Sequence, residues 1–374
     1  MADAKGIRAL SWFDCNGGGQ VVVNGHYAYV GHQQWPIGTT IVDVRDPHNP
    51  KRVAEVGRLP DYTHSHKVRS VGNLMVVNYE PMGHLGKAPD DFVYGLGIFD
   101  VSKPAAPRKL SHYSCLGVHR FTFDGRYVYF SPQLEGHIGN IVMILDLANP
   151  ERPQEVGRWW MPGQWTAGGE TPDWEGTGEF IPRCHHPIRL GDRLYVSYWH
   201  GGWHILDIAD MSKPKQVASM NWSPPFPWPT HTCLPIPFPV RGRKIMLVAD
   251  EDASPLYPAP GSFLWIVDIT DEKRPVPFAS YQVEGVDGSP TPTHTGLHQP
   301  AEDVKGTEIP IAWHVHGMRL LDIANPHRPQ ETAHFVPDVP PGCKRVQTND
   351  VCWDDRGLIY IVDRVRGMHI LERI

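Results

Sequence analysis

One phrase that recurs along the whole chain most limits what this sequence can fold into. It consists of a short apolar run, an acidic residue and a polar turn ending in proline, as in TTIVDVRDPHNP at residues 39–50. Its copies lie 46 to 61 residues apart, and their acidic residues are Asp43, Asp100, Asp146, Asp207, Asp268, Asp322 and, in a truncated last copy, Glu372. Seven copies at this spacing indicate a repeat protein whose units bury their apolar faces against one another.

A hairpin signal precedes the phrase in most units. Residues 20–31 read QVVVNGHYAYVG and residues 119–131 read HRFTFDGRYVYFS, two apolar runs joined by Asn-Gly or Asp-Gly. Such a dipeptide between apolar runs predicts a tight hairpin. The hairpin, the phrase and one more short strand give four antiparallel strands per unit. Seven such units predict an all-β fold, a seven-bladed β-propeller that forms a single domain over residues 1–374.

The ends of the chain are predicted to close the ring. The last unit stops after its third strand, and residues 7–12 (IRALSW) belong to no unit. We therefore expect residues 7–12 to pair outside residues 368–373. A β-helix would need shorter repeats, and two β-sandwiches would not repeat one phrase seven times.

Composition narrows the partners of the protein. The 374 residues carry a net charge of −6 and no strong basic patch, so nucleic acid is not an expected partner. No stretch approaches about 18 apolar residues, so no membrane span is expected. The N-terminal residues resemble no signal peptide, which favours a cytoplasmic location. The six cysteines form no CxxC pair and are expected to be free thiols. Nothing in the sequence indicates the oligomeric state.

Histidines recur where the first strand of a unit begins. Aligning the hairpins places five of them at one equivalent position, with an amide or a carboxylate in the two remaining units: His66, His119, His186, His231, His294, Gln20 and Asp350. The first strand of a propeller blade lines the central tunnel, so this position predicts a ring of imidazoles at one mouth. A single histidine there would be structural, whereas five favour a divalent transition metal held by imidazole nitrogens.

Further residues are candidates for supporting roles. Gln20, Glu80 and His298 are expected to bond the ligand rings or to contact substrate. Glu170 and Asp350 are candidate catalytic acids or bases. The weaker candidates as ligands are His64, His185, His200, His314 and His316. The acidic run at residues 250–252 is interpreted as a solvated loop, and the alternatives are a supporting role beside the metal or a cation site.

The phrase IVDV-x-DP-x-x-P beside the GHYAYV hairpin resembles the LVIVD-repeat propellers over about the whole chain. More distantly, the architecture is similar to selenium-binding proteins, some of which oxidise methanethiol with copper. It is also similar to carotenoid-cleavage oxygenases, which hold iron with four axial histidines. The resemblance implies a propeller, and by analogy a redox centre with iron or copper rather than zinc.

These observations predict a metal-dependent enzyme, an oxidoreductase or oxygenase that acts on a small apolar or aromatic organic molecule. Tryptophan-rich and proline-rich loops such as residues 221–230 (NWSPPFPWPT) are typical of the walls of an apolar pocket. Two alternatives remain open. One is a lyase or hydrolase in which the metal acts as a Lewis acid. The other is a propeller that only presents a surface to partner proteins.

Overall fold

Seven antiparallel sheets follow one another along the chain and confirm the seven-bladed β-propeller. The structure is a computed structural model, and it describes residues 2–82, 86, 89–174, 181–223, 225–252, 261–283 and 296–374. Helix is almost absent from these residues: it is limited to one 3₁₀ turn, η1 (Thr166–Gly168). Accordingly, no helix among them is long and apolar enough to cross a membrane.

The first four blades have four strands each, apart from a split innermost strand in blade two. From the innermost to the outermost strand, blade one contains β3 (Gly18–Asn24), β4 (Tyr27–His32), β5 (Ile37–Asp43) and β6 (Lys51–Arg58). Blade two contains β7 (Thr63–His64) with β8 (Val68–Val71), then β9 (Leu74–Pro81), β10 (Gly95–Asp100) and β11 (Arg108–Ser114). Blade three contains β12 (Val118–Phe123), β13 (Tyr127–Pro132), β14 (Val142–Asp146) and β15 (Gln154–Trp159). Blade four contains β16 (Arg183–Leu190), β17 (Arg193–Trp199), β18 (Gly202–Asp207) and β19 (Lys215–Met220).

The last three blades complete the ring. Blade five contains β20 (Thr230–Pro235), β21 (Ile245–Asp250), β22 (Leu264–Asp268) and β23 (Val276–Tyr281). Blade six contains β24 (Gln299–Pro300), β25 (Glu308–Ala312), β26 (Met318–Asp322) and β27 (Gln330–Val336), with β1 (Asp3–Lys5) added outside. Blade seven contains β28 (Thr348–Trp353), β29 (Ile359–Asp363), β30 (Arg366–Arg373) and β2 (Ile7–Asn16).

The recurring aspartate ends the third strand of a blade and shapes the turn after it. In blades one to six its carboxylate accepts a hydrogen bond from the backbone N–H two residues later, at 2.7 to 3.0 Å. This is the turn that a short acidic side chain favours, because it satisfies an amide that leaves the sheet ladder. The repeated phrase is therefore a strand and its exit turn, as the sequence predicts.

The chain termini close the propeller as predicted. Strand β2 pairs antiparallel with β30, from Ile7 opposite Arg373 to Asn16 opposite Arg366. The backbone N–H of Ile374 also donates to the carbonyl of Gly6 at 3.1 Å. The first strand of the chain thus supplies the fourth strand of the last blade.

The apolar core lies between neighbouring blades. The layer between blades one and two, for example, joins Tyr29 and Ile41 of one sheet to Val68 and Met75 of the next, all almost fully buried. The innermost strands contact one another in the order β3, β8, β12, β16, β20, β24, β28 and back to β3. They enclose a central axis, so a residue at one level of each blade faces its equivalents in the others. All six cysteines are free thiols, as expected.

Candidate metal centre

The innermost strands share a β-bulge near their starts. The pairing register shifts between Val118 and Phe121 in blade three, between Cys184 and His186 in blade four, and between Thr230 and Thr232 in blade five. Blades one and seven shift at the corresponding place, between Gly18 and Gln20 and between Thr348 and Asp350. A bulge re-aims the side chain it displaces, and bulges concentrate at barrel rims and active sites.

Seven imidazoles lie in a continuous arc, and the bulge residues His119, His185 and His231 form its middle. Successive ring centroids along the arc are 4.2, 5.0, 4.8, 4.3, 4.3 and 4.8 Å apart, in the order His64, His66, His119, His185, His231, His298 and His314. We call this set the histidine arc. It spans blades two to six at the level where the innermost strands begin.

The predicted ring combines residues that the structure places at two adjacent levels of the tunnel. His66, His119 and His231 lie in the histidine arc, but Gln20, His186 and Asp350 lie one residue further along their strands. The bulge, which a sequence pattern does not reveal, accounts for this offset, and His185 occupies the level expected of His186. His298, expected in a supporting role, is a member of the arc. His294 lies outside the described residues.

Glu80 orients the histidines of blades two and three. Its carboxylate accepts hydrogen bonds at 2.8 Å from Nε2 of His64 and from Nδ1 of His119. Burial raises the pKa of Glu80, but these two histidines more than offset burial, and the net effect lowers it. Glu80 is therefore an ionised acceptor at hydrogen-bond distance from both histidines.

The Nε2 atoms of His119 and His185 lie 3.1 Å apart. The Glu80 carboxylate accepts a hydrogen bond from Nδ1 of His119, and the carbonyl of His231 accepts one from Nδ1 of His185, both at 2.8 Å. In the neutral imidazole one ring nitrogen donates and the other carries a lone pair. Two lone pairs therefore face each other, an arrangement that a shared cation stabilises.

Glu251 lies among three Nε2 atoms at a longer spacing. These atoms are 3.8 Å away for His231 and 3.7 Å away for both His298 and His314. All four side chains are buried. Nδ1 of His298 donates to the carbonyl of Asn349, which leaves the Nε2 lone pair directed at Glu251. His231, His298 and Glu251 bring one ligand atom each within 4.8 Å of the others. The acidic run at residues 250–252 is buried and is not the solvated loop that was expected, and no sequence pattern distinguishes Glu251 within it.

A second level lies one residue deeper in the tunnel and is rich in charge. Arg120 donates to Nε2 of His231 at 2.9 Å and lies 3.4 Å from Nδ1 of His186. Gln20 donates to Glu302 at 3.2 Å, and Glu302 also pairs with Arg69. We call Gln20, Lys67, Arg120, His186, Gln299 and Asp350 the deeper level. Asp350 accepts from the backbone N–H of Val21 at 2.8 Å, and burial raises its pKa.

Glu170, a candidate catalytic residue, is engaged within its own loop. Its carboxylate accepts hydrogen bonds from Nε1 of Trp160 at 3.1 Å and from the backbone N–H groups of Gly163 and Trp165 at 2.8 and 3.2 Å. The Trp160 hydrogen bond is the main cause that lowers the pKa of Glu170. These contacts shape the loop, and none of them reaches the histidine arc.

We expect the metal-free protein to lose stability on acidification. Burial holds the pKa of His204 and His32 at about 4 and lowers that of buried arc members such as His298 well below 6.5. The unfolded chain then binds more protons below about pH 6.5, so stability is present above that pH and is lost toward pH 4. Each such histidine contributes on the order of 1 kcal/mol per pH unit.

Urea unfolding at pH 7.5 and pH 5.5 in the presence of a chelator measures this dependence. His204→Phe is the informative variant, because phenylalanine keeps the ring contacts to Trp159 and Tyr198 and removes the titrating group. Its unfolding free energy should depend less steeply on pH. An unchanged slope would show that His204 is not neutral in the folded protein.

Comparisons with known proteins agree with the fold. The LVIVD repeat model matches residues 18–57 and 190–221. No curated protein shows significant similarity to the chain. Among solved structures, the periplasmic gluconolactonase PpgL of Pseudomonas aeruginosa superposes with a TM-score of 0.60 at 10% identity, over 97% of this chain and 100% of that one. The WD40 β-propeller domain of Doa1 gives 0.57 at 9% identity, over 98% and 97% of the two chains. At such low identity these structures support the propeller fold alone. The chain is thus a seven-bladed β-propeller that carries the LVIVD repeat.

Proposed function

We propose that this protein is a metal-dependent enzyme whose ion is held at the tunnel axis by Glu251 and the Nε2 atoms of His231, His298 and His314. The spacing around Glu251 carries the proposal. Its separations of 3.7 to 3.8 Å are too long for hydrogen bonds. They match two ligand atoms that each lie about 2.0–2.2 Å from one ion and are therefore about 3–4 Å apart.

The two carboxylates of the arc differ in this respect. Glu80, with His64 and His66, is also close enough to form a metal site. Its oxygens, however, lie 2.8 Å from His64 and His119, which is the distance of a charge-assisted hydrogen bond. We therefore assign Glu80 to orienting histidines and Glu251 to binding the ion.

The donor set suits redox chemistry. Three histidines and one carboxylate contain the two-histidine-one-carboxylate set that is typical of non-haem iron oxygenases, with one further imidazole, and imidazole also suits copper. We propose iron or copper as the metal and the oxidation of a small organic molecule by dioxygen as the reaction. The side chain of His119 is 33% exposed whereas that of His231 is 1% exposed, so solvent reaches the arc at His119 and the proposed ligand His231 is buried.

The surrounding chain prepares the imidazoles for this role. The carbonyl of Asn349 accepts a hydrogen bond from Nδ1 of His298, and Nδ1 of His231 lies 2.7 Å from Oγ1 of Thr232. Each contact helps to fix the ring orientation of a proposed ligand. Burial lowers the pKa of His231 and His298 well below its usual value and keeps them neutral at pH 7, as metal binding requires.

Metal analysis of untagged protein tests the proposal. We expect about one ion per chain after anaerobic loading with Fe(II) or with copper, and oxygen consumption when candidate organic substrates are added. Stoichiometric zinc binding without any reaction with oxygen would favour the lyase or hydrolase alternative. Failure to bind any of these metals would contradict a metalloenzyme and favour a role in presenting a surface to partner proteins.

A further inference from the structure

Two buried cations of the deeper level lack a carboxylate partner. Lys67 is 2% exposed and Arg120 is 1% exposed. Nζ of Lys67 donates to the carbonyl of Gly19 at 3.2 Å, and the guanidinium of Arg120 contacts imidazole nitrogens. Arg69, two residues after Lys67, is in contrast paired with Glu302. Across the described part of the chain, no ion pair includes Lys67 or Arg120.

Burying a cation without a counter-charge is strongly unfavourable in a protein interior. An arginine side chain is not deprotonated in proteins, so Arg120 cannot avoid this penalty by losing a proton. The guanidinium therefore stays charged at pH 7, and its neighbours Asp350 and Glu251 act on it only from a distance.

Unsatisfied polar atoms surround the same place. Nε of Arg120, Oε1 of Gln299 and Oδ1 of Asp350 have no hydrogen-bond partner in the described residues, and Nε2 of His186 faces Oε1 of Glu302 at 3.4 Å. Buried polar groups are normally satisfied, so these orphans at one level of the tunnel indicate that polar molecules belong there. The two oxygens are acceptors that a water satisfies, whereas the N–H groups of Arg120 carry a positive charge and select an anion.

We propose that Arg120 and Lys67 bind the carboxylate of a small organic acid, one level below the ion. The anion site itself needs only the deeper level, but its reading as a substrate site rests on the proposed function. It defines the substrate of the enzyme more closely, as an organic anion whose apolar part extends from the carboxylate toward the histidine arc.

Metal binding and anion binding favour each other in this geometry. Nη2 of Arg120 donates to the Nε2 lone pair of His231, which is the lone pair that the ion needs. If Nε2 of His231 binds the ion, Arg120 loses this hydrogen-bond acceptor. A carboxylate restores it, because its two oxygens accept parallel hydrogen bonds from a guanidinium.

Isothermal titration with benzoate and with its neutral analogue benzamide tests the inference on the full-length protein. We expect saturable binding of benzoate and binding of benzamide that is about tenfold weaker or more. Arg120→Gln and Lys67→Met should each weaken benzoate binding by a similar factor. Arg126→Gln is the matched control, because Arg126 lies in the same blade, is exposed and bonds Asp146 outside the tunnel. Acetate and formate, titrated in the same way, cover the case of a narrow tunnel.

The anion site and the metal site can be disproved separately. Arg120→Gln and Lys67→Met contain no proposed metal ligand, so both should retain their metal and the circular dichroism of the wild type. If none of the three carboxylates binds more tightly to the wild type than to both variants, the anion site is wrong even when metal content is normal. If the protein binds benzoate but no metal, the anion site stands and the proposed enzyme falls.

Discussion

Replacing Glu251 with glutamine is expected to strip the protein of most of its metal while leaving the fold intact. Glu251 is the only charged group among the four proposed ligands, and an amide oxygen is a much weaker ligand than a carboxylate. Loss of a residue that merely supports ligands typically lowers metal affinity 10- to 100-fold, so loss of the charged ligand should exceed about 100-fold. After dialysis, metal content measured by mass spectrometry should fall from about one ion per chain to about a tenth or less.

Two other glutamates provide controls. Glu170→Gln makes the same chemical change in a loop whose contacts do not include the arc, and its metal content should equal that of the wild type. Glu80→Gln changes the acceptor that orients His64 and His119, which are not proposed ligands, so its metal content should also stay close to that of the wild type. If Glu80→Gln removes the metal and Glu251→Gln retains it, the ion lies with His64 and His66 instead, and the proposed ligand set is wrong.

The fold was predictable because its signals are local and repeated. The aspartate of each phrase shapes its own exit turn through a contact two residues away, so the sequence window that contains it also contains its partner. The closing strand was predictable by counting, since six complete units left one strand missing at the end and one unassigned at the start.

The level of each tunnel residue was harder to predict. A β-bulge shifts the side-chain register by one residue without changing the apolar pattern, and it moves His185 rather than His186 into the histidine arc. The adjacent pairs His185–His186 and Asn349–Asp350 are equally compatible with the sequence. Only the pairing of the innermost strand with its neighbour decides between them.

Glu251 and Arg120 lie at the candidate site, but the spacing of residues in the sequence did not predict their positions. Glu251 follows the second strand of blade five, whereas the predicted ring of histidines contained residues of first strands only. Arg120 directly follows His119, and the alignment assigned the tunnel position to the histidine. The arginine lies one level deeper and contacts His231 of blade five. Arg120 contacts His231, which is 111 residues away, and Glu251 lies close to His298 and His314 of the next blade. No local sequence pattern encodes such contacts.

Deleting residues 1–16 is expected to leave the chain unable to fold stably. The deletion removes β2 and exposes the edge of β30, whose Met368, Ile370 and Leu371 are fully buried. The ladder between the two strands contributes about 1 kcal/mol for each of several hydrogen bonds, and burial of Ile7 adds about 2 kcal/mol. Their sum is comparable to the whole stability of a typical protein, which is about 5–15 kcal/mol. We expect the truncated chain to be insoluble or to unfold without urea.

A shorter deletion and a permuted chain show whether ring closure is the cause. Removing only residues 1–5 takes away the exposed strand β1 and should change stability by about 1 kcal/mol or less. A chain that starts at Gly17 and carries residues 6–16 after Ile374 should regain the wild-type urea midpoint. This connection is feasible because Ile374 already bonds Gly6 across the gap, so a short glycine linker forms an ordinary hairpin. If the 1–16 deletion and the 1–5 deletion unfold at the same urea concentration, pairing of the termini does not hold the ring together. If the permuted chain stays unfolded, missing strand pairing does not by itself explain the instability of the deletion variant. The strand would then be needed at the N-terminus, for folding of the rest of the ring.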